Sequence, residues 1–340
     1  MENTQEKHYN LISAEIIADS LNQFGERVTT FKLVFPRIIL AEFNTHRMFN
    51  RNSASSRAIP FEKMVKMVKE QPFIPIAWQK DHKGMQGTEY HIDNDVILND
   101  NQWLEARDNA IFIAKNLHKA GVTKQLCNRL LEPFMWTTML ITGSKEGWDN
   151  FFELRCPSYQ LGENFYKSKK DWKKSLEQSL NIENSDDKTP LFWLRMNKGQ
   201  AEIHMMALAE SIYDCIQESV PTQLKNEWHI PFEDKINELY PNLTLEDKIK
   251  VSVGMAANTS YTIVGDGSII TLEKATRIHD KCKELSHSSV FEHCARAMSE
   301  VEYTASKSTG YTRKGKDQYG WCRNFKGFIP YRHIIETQNE

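Results

Sequence analysis

Between Thr45 and Arg57 the chain packs three guanidinium groups (Arg47, Arg51, Arg57), the imidazole of His46 and six small polar residues (Thr45, Asn50, Asn52, Ser53, Ser55, Ser56) into thirteen positions. Arginine forks, hydroxyls and backbone N–H groups are the chemistry that holds phosphates and flat heteroaromatic rings. The plain alternative is a solvated polar loop. Three further polar clusters, at 144–155, 198–204 and 286–293, accompany it, with Ser260 as a satellite. None forms a serine–histidine–acid triad by pattern, and neither a GxGxxG run nor a P-loop is present. His287 and His293 are six residues apart, which fits neither one helix face nor a zinc motif, so no metal site is expected.

These clusters need elements to place them. A first strand is expected over Leu11 to Ile17 and a second over Val28 to Phe35, where β-branched and aromatic residues follow Gly25. Residues 61–72 read as a short helix and 73–100 as a loop. Trp103, Ala106, Ala110, Ile113, Leu117 and Ala120 share one helical face that stops at Gly121. A second helix is expected from Thr123 into Leu131. Residues 133–154 are rich in aromatics that suit either a core or a flat cofactor pocket. The stretch 157–197 is dense in charge and reads as an exposed insertion. A strong helix follows Gln200, with Met205, Leu208, Ile212 and Cys215 on its apolar face and Pro221 at its end. Residues 220–250 look like a link. Residues 294–304 read as a strand. Thr271 is expected to N-cap a helix that delivers His287 to His293. A basic, glycine-containing loop (Lys307 to Gly320) precedes the last segment.

The whole is expected to be one domain over 1–340. Of its 340 residues, 40% are apolar and 26% charged, values of a soluble protein with a sizeable core. A net charge of −2 argues against bulk binding of nucleic acid. Six scattered cysteines without a CxxC pair indicate neither a disulfide framework nor a zinc site. The polar N-terminus is unlike a signal peptide, no apolar run reaches bilayer-spanning length, and a cytoplasmic setting is expected.

Five motifs together resemble the flavin-dependent thymidylate synthase (ThyX) family. His46-Arg47, seven residues, Ser55, then Arg57 is similar to its RHR-x7-S signature. Leu154-Arg155 resembles the substrate-activating arginine and its neighbour. Gln200-Ala201-Glu202-Ile203 resembles an AQWEI helix start. Ala256-Ala257-x-x-Ser260-Tyr261 resembles the AARVSF/Y strand, and His287 to His293 resembles the H-x-[ST]-P-F-E-H turn. The last two stand behind Arg155 here, whereas in the family they come first. The resemblance therefore implies a circularly permuted ThyX-like α+β fold, with a mostly antiparallel central sheet flanked by helices, and 220–250 as the permutation link. Strand-like runs 294–304 and 28–35 would then lie side by side.

The resemblance also implies roles. His46, Arg47, Asn52, Ser55, Asn150, Ser260, Ser289 and Glu292 would contact FAD, with Lys198 standing about where a flavin-contacting histidine would be. Ser55, Ser56, Arg57 and Arg129 would hold the nucleotide, mostly at its phosphate. Arg155 would sit against the uracil ring and favour its anionic form. Reduced flavin rather than a cysteine thiolate would drive the chemistry, with NADPH and methylenetetrahydrofolate as co-substrates, in a homotetramer that turns dUMP into dTMP. Thr45 departs from the pattern by replacing the first arginine of RHR. Glu42 departs by replacing a nucleotide-contacting glutamine, so each removes one unit of positive charge near anionic ligands. Ser53 and Ala58 replace a glutamate and a tyrosine. Two other readings stay open: a related flavoenzyme that methylates or hydroxymethylates C5 of another uracil nucleotide such as UMP, and a catalytically silent nucleotide- or flavin-binding homologue.

Overall fold

The computed structural model describes residues 11–83, 87–180, 189–261, 270–306 and 319–338. Its centre is a five-stranded sheet in the order β3 (Asn50–Ser53), β4 (Trp136–Ser144), β2 (Arg27–Pro36), β1 (Ser13–Asn22), β7 (Thr222–Leu224). Strands β1 (Ser13–Asn22) and β2 (Arg27–Pro36) form an antiparallel hairpin. In its turn Gly25 has φ 77°, and the Asn22 carboxamide oxygen accepts the N–H groups of Phe24 (2.9 Å) and Glu26 (3.0 Å). After β2 the chain turns through a 3-10 segment, Arg37–Ile39, into the short helix α1 (Leu40–Phe43), and reaches the edge strand β3 (Asn50–Ser53). Helices α2 (Phe61–Glu70), α3 (Asn94–Lys119) and α4 (Lys124–Cys127) lead through a second 3-10 segment (Asn128–Phe134) to β4 (Trp136–Ser144), which pairs antiparallel with both β2 and β3. Helix α3 begins inside the stretch expected to be loop.

Helix α5 (Lys145–Arg155) follows β4 directly. The charged stretch then forms a hairpin, β5 (Tyr159–Leu161) with β6 (Asn164–Tyr166), and helices α6 (Lys169–Leu180) and α7 (Pro190–Met196). Its surface charges surround a small aromatic core in which Trp193 meets Trp172 at 5.2 Å and Tyr159 at 5.3 Å. Helix α8 (Ile203–Glu218) packs on the main sheet. Residues 220–250 hold β7 (Thr222–Leu224), which pairs in parallel with β1, then β8 (Trp228–His229), α9 (Glu233–Leu239) and the start of α10 (Leu245–Tyr261).

Three expectations need correction here. Ala256 to Tyr261 is helical, not a strand: Ile249, Val253 and Ala257 recur every four residues and bury one helix face. Residues 294–304 give only the short β9 (Ala295–Ala297), followed by a helix α12 (Glu300–Ala305) closed by a capping box on Ser299. Helix α11 (Leu272–Glu284), N-capped by Thr271 as expected, lies between α10 and β9. Nor does β9 lie beside β2. It pairs with β8 and with β12 (Phe328–Pro330) in a separate three-stranded sheet, and meets β2 only through side chains, Ala295 and Ala297 against Val28. Strands β10 (Trp321–Cys322) and β11 (Phe325–Lys326) precede β12, and α13 (Tyr331–Thr337) ends the described chain. The loop Lys307 to Gly320 lies almost wholly outside the described residues.

The molecule is therefore α+β, with a mixed central sheet covered on both faces. Strand alternation explains the layers. Phe31, Leu33 and Phe35 of β2, with Met139 and Ile141 of β4, pack against Phe151 and Phe152 of α5 and Met205, Leu208 and Ile212 of α8. The opposite face carries Val28, Thr30 and Thr142 and is covered by the C-terminal segment. A bulge between Ile16 and Ala18 of β1 shifts the register, so Ile16 joins the first face and Ser20 the second. Among the described residues no helix is long and apolar enough to cross a membrane, and no group of three or more histidine, cysteine or acidic side chains is placed to hold a metal ion.

Candidate active site

The Thr45–Arg57 stretch is anchored by one aromatic side chain. Phe49 is buried 4.3 Å from the Trp148 ring and 5.8 Å from Phe151. It fits because β4 and α5 carry glycines beneath it. A Cβ on Gly143 would stand 2.6 Å from the Phe49 ring, and one on Gly147 3.2 Å. This close approach docks the loop against the start of α5, and α5 in turn delivers Arg155 from its C-terminal end, where a cation suits the helix dipole.

Three residues from two distant segments meet there. Arg155 donates through Nε to His46 Nε2 at 3.0 Å and through a terminal N–H to the Glu42 carboxylate. All three were expected at the site. His46 is buried, with its ring edge-on to Phe151 at 4.9 Å. Burial, then the charges of Arg155 and Arg51, push its pKa down to about 4. The imidazole is therefore neutral at pH 7, and because Nε2 accepts from Arg155, its proton sits on Nδ1. Arg51 closes the loop by donating to the carbonyls of Asn44 (2.9 Å) and His46 (3.2 Å). Thr45 donates to the Glu42 carbonyl at 2.7 Å and so holds α1 in place. Arg47 is exposed.

Alternation along β3 splits the remaining residues. Asn50 and Asn52 oppose Thr142 and Leu140 and share the second face of the sheet, while Arg51 and Ser53 share the first face with His46. Asn50 donates to the Glu292 carbonyl at 3.0 Å and accepts from Asn324 at 2.9 Å. The Glu292 carboxylate is engaged by Arg332, which also binds Glu336 at 2.8 Å. Ser289 is exposed on the 3-10 turn Ser288–Glu292. Ser260 lies on α10, and its side chain is outside the described residues. Asn150 is half-buried on α5.

A second cluster sits past the other end of β3, roughly 13 Å away along a strand of about 3.3 Å per residue. Ser55 forms a turn in which its carbonyl accepts from Ala58 N at 3.0 Å. Ser56 donates to Glu132, Arg57 donates to Gln125 at 3.1 Å, and Asn128 clamps the carbonyls of Ser56 (2.7 Å) and Ile59 (3.0 Å). Arg37 reaches the Ala54 carbonyl at 3.1 Å and the Glu132 carboxylate at 3.5 Å. Arg129 is exposed and close enough for its charge to depress the Arg37 pKa, after the larger effect of burial. Arg37, Arg57, Arg129 and Lys124 (3.2 Å from the Ala58 carbonyl) thus make the turn cationic, with Glu132 the counter-charge.

Lys198 does not reach either cluster through its side chain: Nζ donates to the Arg195 carbonyl at 3.4 Å, while its backbone N–H meets the Ser158 carbonyl at 2.8 Å, three residues past Arg155. In the same motif Glu202 is structural. It N-caps α8 by accepting Met205 N at 2.9 Å, and holds His204, whose Nε2 takes the Ile76 N–H at 3.1 Å. Arg37, Asn128, Glu132, Asn324 and Arg332 were not foreseen. Each partner comes from a segment far away in sequence, so no spacing announces it. Burial pushes the thiols of Cys156, Cys215 and Cys282 upward, Cys322 to about 11 and Cys294 to about 12, which makes these cysteines poor nucleophiles.

No protein-family model and no curated protein matches the chain. Among solved structures, the chain is similar to a UMP/dUMP methylase, PolB from Streptomyces cacaoi, bound with 5-Br UMP. Identity is 14%, 49% of this chain and 87% of that chain are covered, and the TM-score is 0.37. A second structure of the same protein, bound with 5-Br dUMP, matches at 14% identity over 45% of this chain and 64% of that one, with a TM-score of 0.31. At these scores the likeness supplies no argument for a shared activity.

Proposed function

We propose that this protein is a flavin-dependent enzyme acting at C5 of a uracil nucleotide, and specifically a thymidylate synthase that converts dUMP to dTMP with FAD, NADPH and methylenetetrahydrofolate. The observation that carries the reading is the meeting of Glu42, His46 and Arg155. Motifs 109 and 113 residues apart supply one hydrogen-bonded unit beside an aromatic wall. The Asn50 to Glu292 bond, spanning 242 residues, supports a permuted order, because it sets the C-terminal motif against the strand that continues the N-terminal one.

Exposed Arg47, the neutral imidazole of His46 and half-buried Asn150 and Ser55 offer donors that suit FAD, a flat ligand with an anionic diphosphate; Asn52, Ser289 and Glu292 stand on the other face of β3, where the Glu292 carboxylate, held by Arg332, can only accept. When bound, the flavin would supply the reducing power. The chain's own residues do the rest. Arg155 presents a guanidinium whose orientation is fixed from two sides, so its remaining donors can meet negative charge as it develops on a pyrimidine ring without reorganising. His46 Nε2 is committed to Arg155, so His46 orients the guanidinium rather than moving a proton. Ser55, Ser56, Arg57, Arg129 and Arg37 form the cationic turn for a phosphate. The Glu42–Arg155 ion pair favours a second reading, another uracil nucleotide or a silent homologue, because it offsets the charge that would stabilise a uracil anion.

Equilibrium titration with FAD, followed by absorbance, tests the cofactor. Saturable binding is expected. Absence of binding at high FAD concentration overturns the assignment of Thr45–Arg57 as a flavin-contacting stretch.

A further inference from the structure

Six buried side chains form a continuous hydrogen-bonded chain beneath the second face of the sheet. Ser20 Oγ lies 2.9 Å from His229 Nδ1, and His229 Nε2 lies 2.8 Å from Thr30 Oγ1. Thr30 Oγ1 is 2.7 Å from Thr142 Oγ1, which is 2.8 Å from His293 Nδ1. His293 Nε2 ends the chain 3.2 Å from Asn52 Oδ1. All six residues are at most 5% exposed. Strand register accounts for the middle, since Thr30 and Thr142 are direct partners on β2 and β4.

Donor accounting fixes the direction. A carboxamide oxygen only accepts, so His293 must carry its proton on Nε2. Its Nδ1 then accepts from the Thr142 hydroxyl, whose oxygen accepts from Thr30. The Thr30 proton is thereby committed, so His229 donates to Thr30 from Nε2, and its Nδ1 accepts from Ser20. Each hydroxyl donates once within the chain, and no imidazole nitrogen is left over.

We infer that His229, Thr30, Thr142 and His293 are positioning residues: they form a one-way relay that holds both imidazoles as Nε2–H tautomers and turns the Asn52 carboxamide oxygen inward, so that its donor end faces away from His293 at the edge strand. Burial lowers the pKa of His229 to about 4 and that of His293 to about 3, which keeps both neutral and the direction unambiguous. A buried polar network pays for its desolvation only when every member is satisfied, and this one gives the edge strand a rigid amide rather than a freely rotating one. The relay stands apart from the functional reading; only the identity of the ligand that Asn52 meets rests on it.

The test is long-range proton–nitrogen correlation NMR on protein labelled with 15N-histidine, assigned with His229→Asn and His293→Asn. Both imidazoles are expected as neutral Nε2–H tautomers at pH 7. Thr142→Val, which removes the hydroxyl at constant shape, is expected to leave the His293 proton on Nε2 and to move the Nδ1 resonance to that of an imine nitrogen that accepts no hydrogen bond, and Thr142→Ser to preserve the wild-type pattern. With FAD as probe, Thr142→Val is expected to bind about tenfold more weakly and Thr142→Ser like the wild type. An Nδ1–H tautomer or an imidazolium at either position in the wild-type protein overturns the relay and needs no variant to fold. An unchanged His293 Nδ1 resonance in Thr142→Val also overturns it. If the wild-type protein binds no FAD, the functional reading falls while the tautomers still decide the relay.

Discussion

Replacing Glu42 by Gln isolates the feature in which this site departs most from the pattern it resembles. The Glu42 carboxylate pairs with Arg155, and the two side chains are 31% and 22% exposed. Glutamine keeps an oxygen that accepts from Arg155 but removes the negative charge. For a unit charge on a ligand about 6 Å away, Coulomb's law at an effective dielectric near 20 gives about 2.8 kcal/mol of repulsion from that carboxylate. Solvent screening at a partly exposed site cuts this to about 1–1.5 kcal/mol, or roughly tenfold in affinity. Glu42→Gln is therefore expected to bind dUMP about tenfold more tightly, and to lose about 0.5 kcal/mol or less of folding stability, as partly exposed pairs do. Calorimetric titration measures the first quantity and urea unfolding the second. The gain must also depend on the guanidinium: in an Arg155→Ala background the effect of Glu42→Gln should change, which a double-mutant cycle measures. Unchanged or weaker dUMP binding in Glu42→Gln, with the fold intact, refutes the placement of an anionic ligand beside this pair.

Other consequences follow from the same geometry. Arg155→Ala should lower turnover by about 2.7–4 kcal/mol in barrier while Arg57→Ala mainly raises the apparent dissociation constant of the nucleotide; steady-state kinetics separates the two, and normal turnover of Arg155→Ala at saturating nucleotide contradicts the assignment. Acid should destabilise the fold. His46, His229 and His293 have pKa values depressed to about 4, 4 and 3, so between pH 6.5 and 4 the unfolded chain binds more protons and stability falls as pH falls. Asp214, raised to about 6 chiefly by burial, works in the opposite sense below pH 6 and cancels one of the three. A net loss of about 2.7 kcal/mol per pH unit near pH 5 is expected, and urea unfolding that is flat between pH 6.5 and 5 would count against the buried neutral imidazoles. Leu98, Phe112, Ile113 and Leu117 lie exposed on α3, which fits the expected homotetramer; light scattering that finds an active monomer refutes that assembly.

What the sequence made legible was whatever left a local period. Strand β2 was visible because β-branched and aromatic residues alternate there, and α8 because Met205, Leu208 and Ile212 recur at helical spacing. Strand β3 was not, since Asn50-Arg51-Asn52-Ser53 has no β-forming residue. It is held by the edge of β4 and by bonds from Asn50 to Glu292 and Asn324. The Ser260 segment was misread because a motif resemblance outweighed the spacing of Ile249, Val253 and Ala257. At the site, the motifs found Glu42, His46 and Arg155, but not the partners that hold Glu292 and the Ser55–Arg57 turn. Arg332 meets Glu292 across 40 residues, and Arg37 meets Glu132 across 95. Contacts of that kind are made by the fold and have no sequence period to betray them.

The central claim is carbon transfer to C5 of a uracil nucleotide through a bound flavin. Incubating the purified protein with FAD, NADPH, methylenetetrahydrofolate and either dUMP or UMP, and resolving the nucleotides by mass spectrometry, tests it most directly. The expected result is dTMP from dUMP, dependent on FAD and lost in Arg155→Ala. Recovery of both nucleotides unchanged, from protein shown to bind FAD and dUMP, would contradict it.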